Sequence, residues 1–432
     1  MEHFIDVPTH NVPRLVIIGG GFGGIELAKK LKNKPVQIVL IDQNNYHTFQ
    51  PLLYQVATAG LEADSIVYPL RKIFRYQQNF FFRMARVTEI VAEQNILVTS
   101  IGKISYDYLV IATGSTTNFF GLKNIEQQAM PMKSVTEALN LRSLMLQNFE
   151  AALQINDPDE QASYLNFVVV GGGPTGVEMA GSLAELKKHV LPNDYSELDF
   201  KKMQIYLIEA SDRLLNGMSD VSGRKASEFL QNFDVHVLLN TAVVNYDGVV
   251  VETKDGLKIP TRTFIWSAGV MGNVVKGIDV SSVLRGNRIA VDEFCKVKNY
   301  QNVFAVGDVA CMILPDYPRG HAMVAPVAIQ QGHLLAKNLL NLLQNKPLKA
   351  FNYLDKGSMA TVGRNRAVVE SGGFKTQGLI AWFMWMAVHL MTLVGFRNKV
   401  VTFFNWMWSY LNYDRGIRLI IRPYERHLND EQ

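Results

Sequence analysis

Two groups of glycines have the spacing of a phosphate-binding turn. They are Gly19, Gly21, Gly23 and Gly24 in the first group and Gly171, Gly173 and Gly176 in the second. At G-x-G-x-x-G spacing, the first glycine permits a tight turn, the second lets a pyrophosphate approach the backbone, and the third lets a helix pack closely on a strand. The unpaired N–H groups at the start of that helix attract negative charge. Each group therefore predicts a site for the pyrophosphate of a dinucleotide, and the alternative is a glycine-rich turn that binds nothing.

An acidic residue follows each glycine group, at the end of the next apolar stretch. Asp42 closes the strand predicted over 36–41, and Glu209 closes the strand predicted over 203–208. A carboxylate at this place accepts hydrogen bonds from the hydroxyls of an adenosine ribose and disfavours a 2′-phosphate. We therefore predict that the second site prefers NADH to NADPH. Arg213 is the nearest arginine to Glu209 and could weaken that preference.

Further residues are assigned to cofactor contact because they form small turns at the ends of apolar strands or follow the first acid. A carboxylate such as Asp308 can bond the ribityl chain of FAD, and the alternative is an aspartate that caps a helix. For His47 we favour a hydrogen bond to backbone beside the cofactor over a role as acid or base. The residues assigned in this way are Ala112, Thr113, Gly114, Gly269, Gly307, Asp308, His47 and Gln55.

These residues must be positioned by repeated units of strand, turn, helix and strand. The pattern is present over 14–42 and again over 166–209, where a helical extension at 187–200 precedes the last strand. The predicted fold class is therefore α/β, with two Rossmann-like dinucleotide-binding domains, for FAD and NADH, and a C-terminal membrane-associating region with amphipathic helices. The predicted domains are 1–118 with 286–345 for FAD, 119–285 for NADH, and 346–432 for the C-terminal region.

Length and composition limit the classes of function. A chain of 432 residues exceeds what one hydrophobic core usually supports, and 48% hydrophobic with 19% charged residues is ordinary for a globular protein. The net charge of +4 gives no indication of nucleic-acid binding. Cys295 and Cys311 form no C-x-x-C or metal-ligand spacing, which favours a reducing compartment and predicts no metal site. Residues 1–13 lack the basic and apolar regions of a signal peptide.

The C-terminal part of the chain is apolar, basic and rich in tryptophan. Residues 378–394 form an apolar run at the lower length limit for crossing a bilayer, and polar residues in 400–411 recur at helical spacing. Four of the five tryptophans lie here, and seven basic against two acidic side chains lie between Lys375 and Arg426. This combination predicts a segment in the headgroup region of an anionic membrane. The alternatives are a single bilayer crossing and a buried dimer interface.

The order of these motifs resembles the two-dinucleotide-binding flavoprotein superfamily that includes the disulfide reductases. The redox-active cysteine pair of those enzymes is absent, since no cysteine precedes Cys295. Within the superfamily, residues 12–425 are similar to the type II NADH dehydrogenases, the single-subunit, non-pumping NADH:quinone oxidoreductases. The stretches that carry the resemblance are FQPLLYQVATAGL (49–61), GGGPTGVEMAGSLAE (171–185), VAPVAIQQG (324–332) and the apolar, tryptophan-rich C-terminus.

The resemblance assigns further residues to the reduction of the quinone. Glu178, just after the second glycine group, matches an acid beside the flavin and the nicotinamide that positions the quinone through water or relays a proton. Gln330 and Gln331 match amides on the quinone side of the flavin, but the family's Ala-Gln pair ends in Pro326 here, so one expected amide is missing. Lys356 matches a segment at the flavin edge and could neutralise reduced flavin; an ordinary surface lysine is equally compatible.

The function implied by this resemblance is two-electron transfer from NADH through FAD to a membrane quinone, without proton pumping. The implied partners are the quinone, membrane lipids and a second copy of the chain in a homodimer. The implied location is the cytoplasmic face of the cell inner membrane, with peripheral or monotopic attachment. One rival is a sulfide:quinone oxidoreductase. That family usually needs three cysteines near the flavin, and the two cysteines here, Cys295 and Cys311, are badly placed for that role. Another is a membrane-tethered NADH-binding flavoprotein that acts as a sensor, and the identity of the quinone stays open.

Overall fold

The structure is a computed structural model that describes residues 3–9, 11–412 and 417–425. The described residues form two compact units. Unit 1 lies within Met1–His47, Tyr68–Thr116 and Val270–Asp355, and unit 2 lies within Thr48–Val67, Thr117–Gly269 and Lys356–Gln432. Residues 48–67 and the described residues after 355 thus belong to the unit that holds the second glycine group. The assignment of domains by bound ligand stays a prediction.

The strands lie between residues 14 and 377. In chain order they are β1 (Arg14–Ile18), β2 (Gln37–Asp42), β3 (Tyr46–Thr48), β4 (Val67–Pro69), β5 (Phe80–Met84), β6 (Val87–Val91), β7 (Ile96–Thr99), β8 (Gly102–Ser105), β9 (Tyr108–Ile111), β10 (Ser115–Thr117), β11 (Met130–Pro131), β12 (Phe167–Val170), β13 (Ile205–Ile208), β14 (Val235–Leu238), β15 (Val243–Tyr246), β16 (Val250–Thr253), β17 (Lys258–Pro260), β18 (Thr263–Trp266), β19 (Val270–Gly272), β20 (Val283–Leu284), β21 (Arg288–Val291), β22 (Val303–Ala305), β23 (Ala310–Met312), β24 (Ser358–Thr361), β25 (Ala367–Ser371) and β26 (Phe374–Gln377).

The helices lie between residues 22 and 412, and short 3-10 turns occur at Gln50–Leu52, Ala92–Gln94, Val280–Ser282 and Gly307–Val309. In chain order the helices are α1 (Phe22–Lys30), α2 (Leu53–Ala57), α3 (Ala63–Ile66), α4 (Leu70–Ile73), α5 (Lys123–Gln128), α6 (Val135–Ala152), α7 (Pro158–Leu165), α8 (Pro174–His189), α9 (Leu191–Asp194), α10 (Asp220–Gln231), α11 (Ala325–Leu343), α12 (Leu379–Thr392) and α13 (Phe396–Asn412).

Unit 1 is organised around a five-stranded parallel sheet in the order β22-β9-β1-β2-β5. The central strands β1, β2 and β9 are almost entirely buried, which explains why they are continuous apolar runs rather than alternating ones. Helix α11 packs against α1 at a close approach, since a Cβ on Gly332 would lie 2.6 Å from the Gly23 carbonyl oxygen. Pro326 lies in the first turn of α11, where a missing N–H costs nothing.

Unit 2 contains a second five-stranded parallel sheet, in the order β11-β18-β12-β13-β14. Two such sheets, each with a glycine turn after its central strand, confirm the predicted α/β class and the two Rossmann-like folds. The helical extension predicted over 187–200 is wrong in its length, because α8 ends at His189 and α9 covers only Leu191–Asp194. Pro192 explains the break, since proline within a helix lacks the backbone N–H and clashes with the preceding turn.

The C-terminal part of unit 2 is an antiparallel three-stranded sheet, β24-β25-β26, followed by α12 and α13. Trp385 and Trp406 belong to the tryptophan-rich tail, for which the sequence predicts contact with headgroups, but they are 2% and 9% exposed and face the protein. The apolar side chains on the other faces of α12 and α13 are exposed. They include Leu379, Ile380, Phe383, Met391, Phe396, Phe404, Met407, Trp408 and Leu411. Among the described residues, we find no helix with the length and apolarity needed to cross a bilayer.

Candidate functional site

The first glycine turn of unit 1 is shaped by close backbone contacts. Gly19 has φ +106°, and a Cβ there would lie 2.3 Å from the Ala112 carbonyl oxygen, so only glycine fits. A Cβ on Gly24 would lie 2.1 Å from the Gly19 carbonyl oxygen, which explains the third glycine of the motif. Gly23 in turn approaches α11, because a Cβ there would lie 3.3 Å from the Ala328 carbonyl oxygen.

Asp42 lies beside this turn as the sequence predicts. Its Oδ2 accepts a hydrogen bond from the Gly20 amide at 2.6 Å, and its Oδ1 accepts one from the Asn44 amide at 2.7 Å. Burial raises the pKa of the Asp42 carboxyl, and these two amide donors oppose the rise. A Cβ on Gly21 would meet no atom within 4 Å, so there is space at the start of α1 for a pyrophosphate to reach the backbone. The turn therefore fits the dinucleotide part of FAD.

His47 belongs to the same turn through a backbone hydrogen bond. Its Nδ1 donates to the Gly20 carbonyl oxygen at 3.1 Å, and its ring packs edge-on against Phe22 at 4.9 Å. Burial lowers the pKa of His47 to about 4, so the ring is neutral at physiological pH. This arrangement matches the predicted backbone contact rather than an acid or base role.

The other turns assigned to the cofactor in unit 1 are held by hydrogen bonds across the chain. Thr113 Oγ1 donates to the Asn273 carbonyl at 2.6 Å, and the Asn273 amide donates to the carbonyl of Gly114 at 3.0 Å. Ser115 Oγ donates to Asp308 Oδ2 at 2.5 Å. The Asp308 carboxylate therefore lies close to the turn that follows Ala112. Both must lie close together if they are to contact the same ligand.

Gln330 and Gln331 differ in what their amides do. Both amide atoms of Gln330 bond the backbone of Leu354, each at 2.9 Å, so this side chain holds the segment before β24. Gln331 is 1% exposed, and its Oε1 accepts from the Gly307 amide at 2.7 Å. Gln331 thus supports the turn that carries Asp308. Contact of either amide with a quinone stays a prediction.

The second glycine turn, in unit 2, repeats the geometry of the first. A Cβ on Gly171 would lie 2.8 Å from the Ala268 amide, and one on Gly176 would lie 1.9 Å from the Gly171 carbonyl oxygen. Glu209 accepts from the Gly172 amide at 2.5 Å through Oε2 and from the Ser211 amide at 2.8 Å through Oε1. Glu209 therefore bonds the second glycine turn in the same way as Asp42 bonds the first.

The space around the second turn also fits a dinucleotide. A Cβ on Gly173, at the start of α8, would meet no atom within 4 Å. Gly269 lies under the ring of Phe120, where a Cβ would come within 2.6 Å of Cζ. Arg213 bonds Asn216 through Nε at 3.0 Å and forms an ion pair with Asp220. The guanidinium that could have favoured a 2′-phosphate is therefore engaged elsewhere.

Glu178 lies on α8, two residues after the last glycine of the second group, and is 7% exposed. Its Oε1 accepts from the Thr361 amide at 3.4 Å and from the indole Nε1 of Trp385 at 3.2 Å. Burial raises the pKa of Glu178 to about 8, and the two donors act in the opposite direction. A carboxyl group with this pKa is protonated at neutral pH and can give up its proton to a reacting group.

The cavity that Glu178 lines is formed mainly by aromatic and polar side chains of unit 2. Gln55 on α2 accepts from Trp406 Nε1 at 2.8 Å and donates through Nε2 to the Tyr54 hydroxyl at 2.8 Å. Its amide therefore serves this cavity, and the predicted cofactor contact of Gln55 stays untested. Lys356 is exposed just before β24, outside the cavity lining, and its predicted role also stays untested.

Sequence reasoning missed Tyr54, Thr361, Trp385 and Trp406 as residues of this cavity. Apart from Tyr54, which neighbours Gln55 in the chain, they lie about 180 to 350 positions from the groups that they bond. The sequence shows that tryptophans are concentrated in the apolar tail, a pattern that favours membrane contact. A helix that is apolar on most faces does not reveal which face is buried.

Family models cover most of the chain. Residues 13–332 match the pyridine nucleotide-disulphide oxidoreductase model, and residues 356–412 match the model of the NDH2 C-terminal domain. The type II NADH:quinone oxidoreductase Ndh of Mycobacterium tuberculosis is 37% identical, over 95% of this chain and 91% of the relative. Both findings agree with the motifs that carried the resemblance.

Solved structures show the same fold. The chain resembles the NDH2 of Plasmodium falciparum in complex with NADH with a TM-score of 0.86 and 20% identity, covering 95% of this chain and 100% of the other. The sulfide:quinone oxidoreductase of Aquifex aeolicus is similar with a TM-score of 0.71 and 21% identity, covering 90% and 92%. The identity and coverage shared with the mycobacterial relative, together with both matching models, show that the chain belongs to the type II NADH:quinone oxidoreductases, which use FAD as cofactor and NADH as co-substrate.

Proposed function

We propose that this chain oxidises NADH at the second glycine turn and reduces a membrane quinone at the cavity that Glu178 lines, without pumping protons. The observation that supports this best is a carboxyl group with a pKa of about 8 on a cavity lined by aromatic side chains. A quinone takes up protons together with electrons, so an acid that is protonated at neutral pH suits its reduction.

The two glycine turns divide the binding of the cofactor and the co-substrate. Asp42 and Asp308 would hold FAD in unit 1, and Glu209 would hold NADH in unit 2. FAD, when bound, supplies the redox chemistry, because a flavin accepts hydride from a nicotinamide and passes electrons to a quinone. Positioning provides much of the acceleration of such a transfer, so no acid or base is needed for it. His47 is in keeping with this, since its ring is neutral and bonded to Gly20.

Glu209→Gln is expected to weaken NADH binding more than NADPH binding. The carboxylate favours ribose hydroxyls and repels a 2′-phosphate, and a neutral amide loses both effects. Removal of one charge-assisted hydrogen bond corresponds to about 1.5–3 kcal/mol, so the KM for NADH should rise roughly tenfold or more. Steady-state kinetics with both nucleotides measure this. An equal loss for NADH and NADPH would contradict the role of Glu209.

The exposed apolar face of α12 and α13 supports attachment to a membrane surface. Phe383, Phe404 and Leu411 are 55%, 54% and 69% exposed, and they lie on helices whose opposite faces are buried. Basic side chains lie close by, among them Arg397 and Lys399. Apolar side chains beside basic ones suit the headgroup region of an anionic bilayer. We propose that the protein attaches to the cytoplasmic face of the inner membrane.

Replacing Phe383 and Phe404 together by glutamate is expected to lower binding to anionic vesicles by at least about tenfold. Each buried phenyl ring contributes about 1.5–3 kcal/mol of transfer free energy, and the new charges are repelled by the lipid. Co-sedimentation with vesicles measures the effect. Val280→Glu is the matched control, because Val280 is 84% exposed on unit 1, away from these helices in the chain. Equal binding by all three proteins would contradict the attachment through α12 and α13.

Steady-state oxidation of NADH by a short-chain quinone tests the proposed activity. Quinone-dependent consumption of NADH by the FAD-loaded protein is the expected result. NADH binding without turnover would favour a sensor, and turnover with sulfide in place of NADH would favour a sulfide:quinone oxidoreductase. The proposed homodimer is checked separately by sedimentation of the detergent-free protein, where a monomer would contradict it.

A further inference from the structure

We propose that Trp385 is a positioning residue that decides which oxygen of Glu178 carries the exchangeable proton. The inference rests on the proposed role of the Glu178 cavity in quinone reduction. It assigns to α12, beyond its exposed apolar face, a function inside the protein that the sequence does not suggest. The geometry that supports it is the convergence of two N–H donors on one carboxyl oxygen.

Both donors to Glu178 point at Oε1. The indole Nε1 of Trp385 lies 3.2 Å from it, and the backbone amide of Thr361 lies 3.4 Å from it. An oxygen that accepts two N–H bonds serves as the carbonyl oxygen of a neutral carboxyl group, because the hydroxyl oxygen would bring its own hydrogen towards those donors. The proton of the neutral acid therefore resides on Oε2, since both donors contact Oε1.

Trp385 is held firmly enough to act in this way. It is 2% exposed, its ring stacks on His389 at 4.0 Å, and Tyr54 packs against it at 6.5 Å. His389 is fixed in turn, since its Nδ1 donates to the Trp385 carbonyl at 2.8 Å. Burial lowers the pKa of His389 to about 4, so the stacked imidazole brings no charge near the carboxyl group at neutral pH.

Other ionisable groups share the cavity with Glu178. They are Tyr54 on α2, Glu185 on α8, Arg364 after β24 and Tyr410 on α13. The strands β12, β13 and β14 and the helix α10 also pack against α8, but they contribute no ionisable side chain to the described lining. The pKa of Glu178 is set by burial first and then by the Thr361 amide and the Trp385 indole, and not by these charges.

Trp406 provides a matched comparison on the neighbouring helix. Its indole Nε1 donates to Gln55 Oε1 at 2.8 Å, in the same cavity and with similar burial. The acceptor is an uncharged amide, so loss of that N–H does not change the ionisation of Glu178 directly. Trp406→Phe therefore removes an indole from the cavity wall without removing a donor from the carboxyl group.

Infrared titration of the Glu178 carboxyl band tests the proposal independently of turnover. The band is identified by subtraction of the Glu178→Gln spectrum, and its midpoint in the wild-type protein is expected near pH 8. Trp385→Phe loses a donor that favours the ionised form, so its midpoint should move upward by about one pH unit. Trp406→Phe should keep the wild-type midpoint. An unchanged midpoint in Trp385→Phe, or an equal shift in both variants, would overturn the proposal.

Two further readouts keep the test decisive. If Trp385→Phe does not fold, the indole ¹⁵N–H resonances of the wild-type protein are followed with pH. One resonance should titrate with the Glu178 midpoint and lose that titration in Glu178→Gln, whereas five resonances that ignore Glu178 would overturn the proposal. The alkaline limb of quinone turnover should shift with the infrared midpoint. An infrared shift without a shift in turnover would support the positioning by Trp385 and contradict the proposed role of Glu178 in quinone reduction.

Discussion

Glu178→Gln is expected to slow quinone reduction by roughly a hundredfold or more, while NADH should still bleach the flavin absorbance at the wild-type rate. General acid catalysis by a positioned side chain typically contributes 10²–10⁴-fold, and an amide cannot supply a proton. The substitution keeps the shape of the side chain and an oxygen that can accept from Trp385 and Thr361. Steady-state kinetics with a short-chain quinone, combined with a rapid-mixing measurement of the NADH step, separates the two effects.

Ionisation of Glu178 should also make quinone turnover depend on pH. Glu178 holds its proton below its pKa of about 8 and loses it as the pH rises through that value, so wild-type quinone turnover should decline above about pH 8. This decline should be absent from the residual activity of Glu178→Gln. Glu185→Gln is the control, because Glu185 lines the same cavity but its carboxylate accepts from the Arg364 amide. If both variants lose activity equally, a specific role for Glu178 is contradicted.

Gly24→Ala is expected to yield protein without FAD and with a lower melting temperature. An alanine Cβ at this position would lie 2.1 Å from the Gly19 carbonyl oxygen, so β1 and α1 must move apart. Overpacking of this kind costs about 1–3 kcal/mol or more, and it displaces the backbone amides that face the pyrophosphate. The ratio of flavin to protein absorbance and the thermal unfolding of the purified protein measure both effects.

Gly21→Ala separates binding from packing at the same turn. A Cβ on Gly21 meets no protein atom within 4 Å, so the FAD-free variant should keep the wild-type melting temperature. Its affinity for FAD should nevertheless fall, because the new methyl group occupies the space through which the pyrophosphate approaches the backbone. Gly217→Ala is the control for both, since Gly217 lies outside the glycine turns and its Cβ also meets nothing within 4 Å. Full flavin content in Gly24→Ala and Gly21→Ala would contradict the assignment of FAD to this turn.

The two dinucleotide folds could be predicted because their signals are local in the chain. Each consists of a strand, a glycine turn, a helix and an acid within 14–42 or 166–209. The hydrogen bonds from Gly20 to Asp42 and from Gly172 to Glu209 each join residues of the same strand-turn-helix-strand motif. The backbone contact of His47 followed for the same reason, since it lies just beyond the first acid.

The environment of Glu178 could not be predicted, because its partners are remote in sequence. Trp385 lies 207 positions away and Thr361 lies 183 positions away, on elements whose packing depends on the folded unit. The apolar run over 378–394 indicated a lipid contact but not which of its indoles turn inward. The hydrogen bond between Gln55 and Trp406 shows the same limit, since the two residues lie 351 positions apart, and the cofactor contact of Gln55 stays a prediction.

Anaerobic stopped-flow absorbance of the FAD-loaded protein, mixed first with NADH and then with a short-chain quinone, decides whether electrons pass from NADH to quinone through this chain. The expected result is fast loss of the flavin absorbance followed by fast recovery that depends on the quinone concentration. Loss without recovery would contradict quinone as the acceptor. An unchanged flavin absorbance after NADH would contradict the assignment of NADH to the second glycine turn.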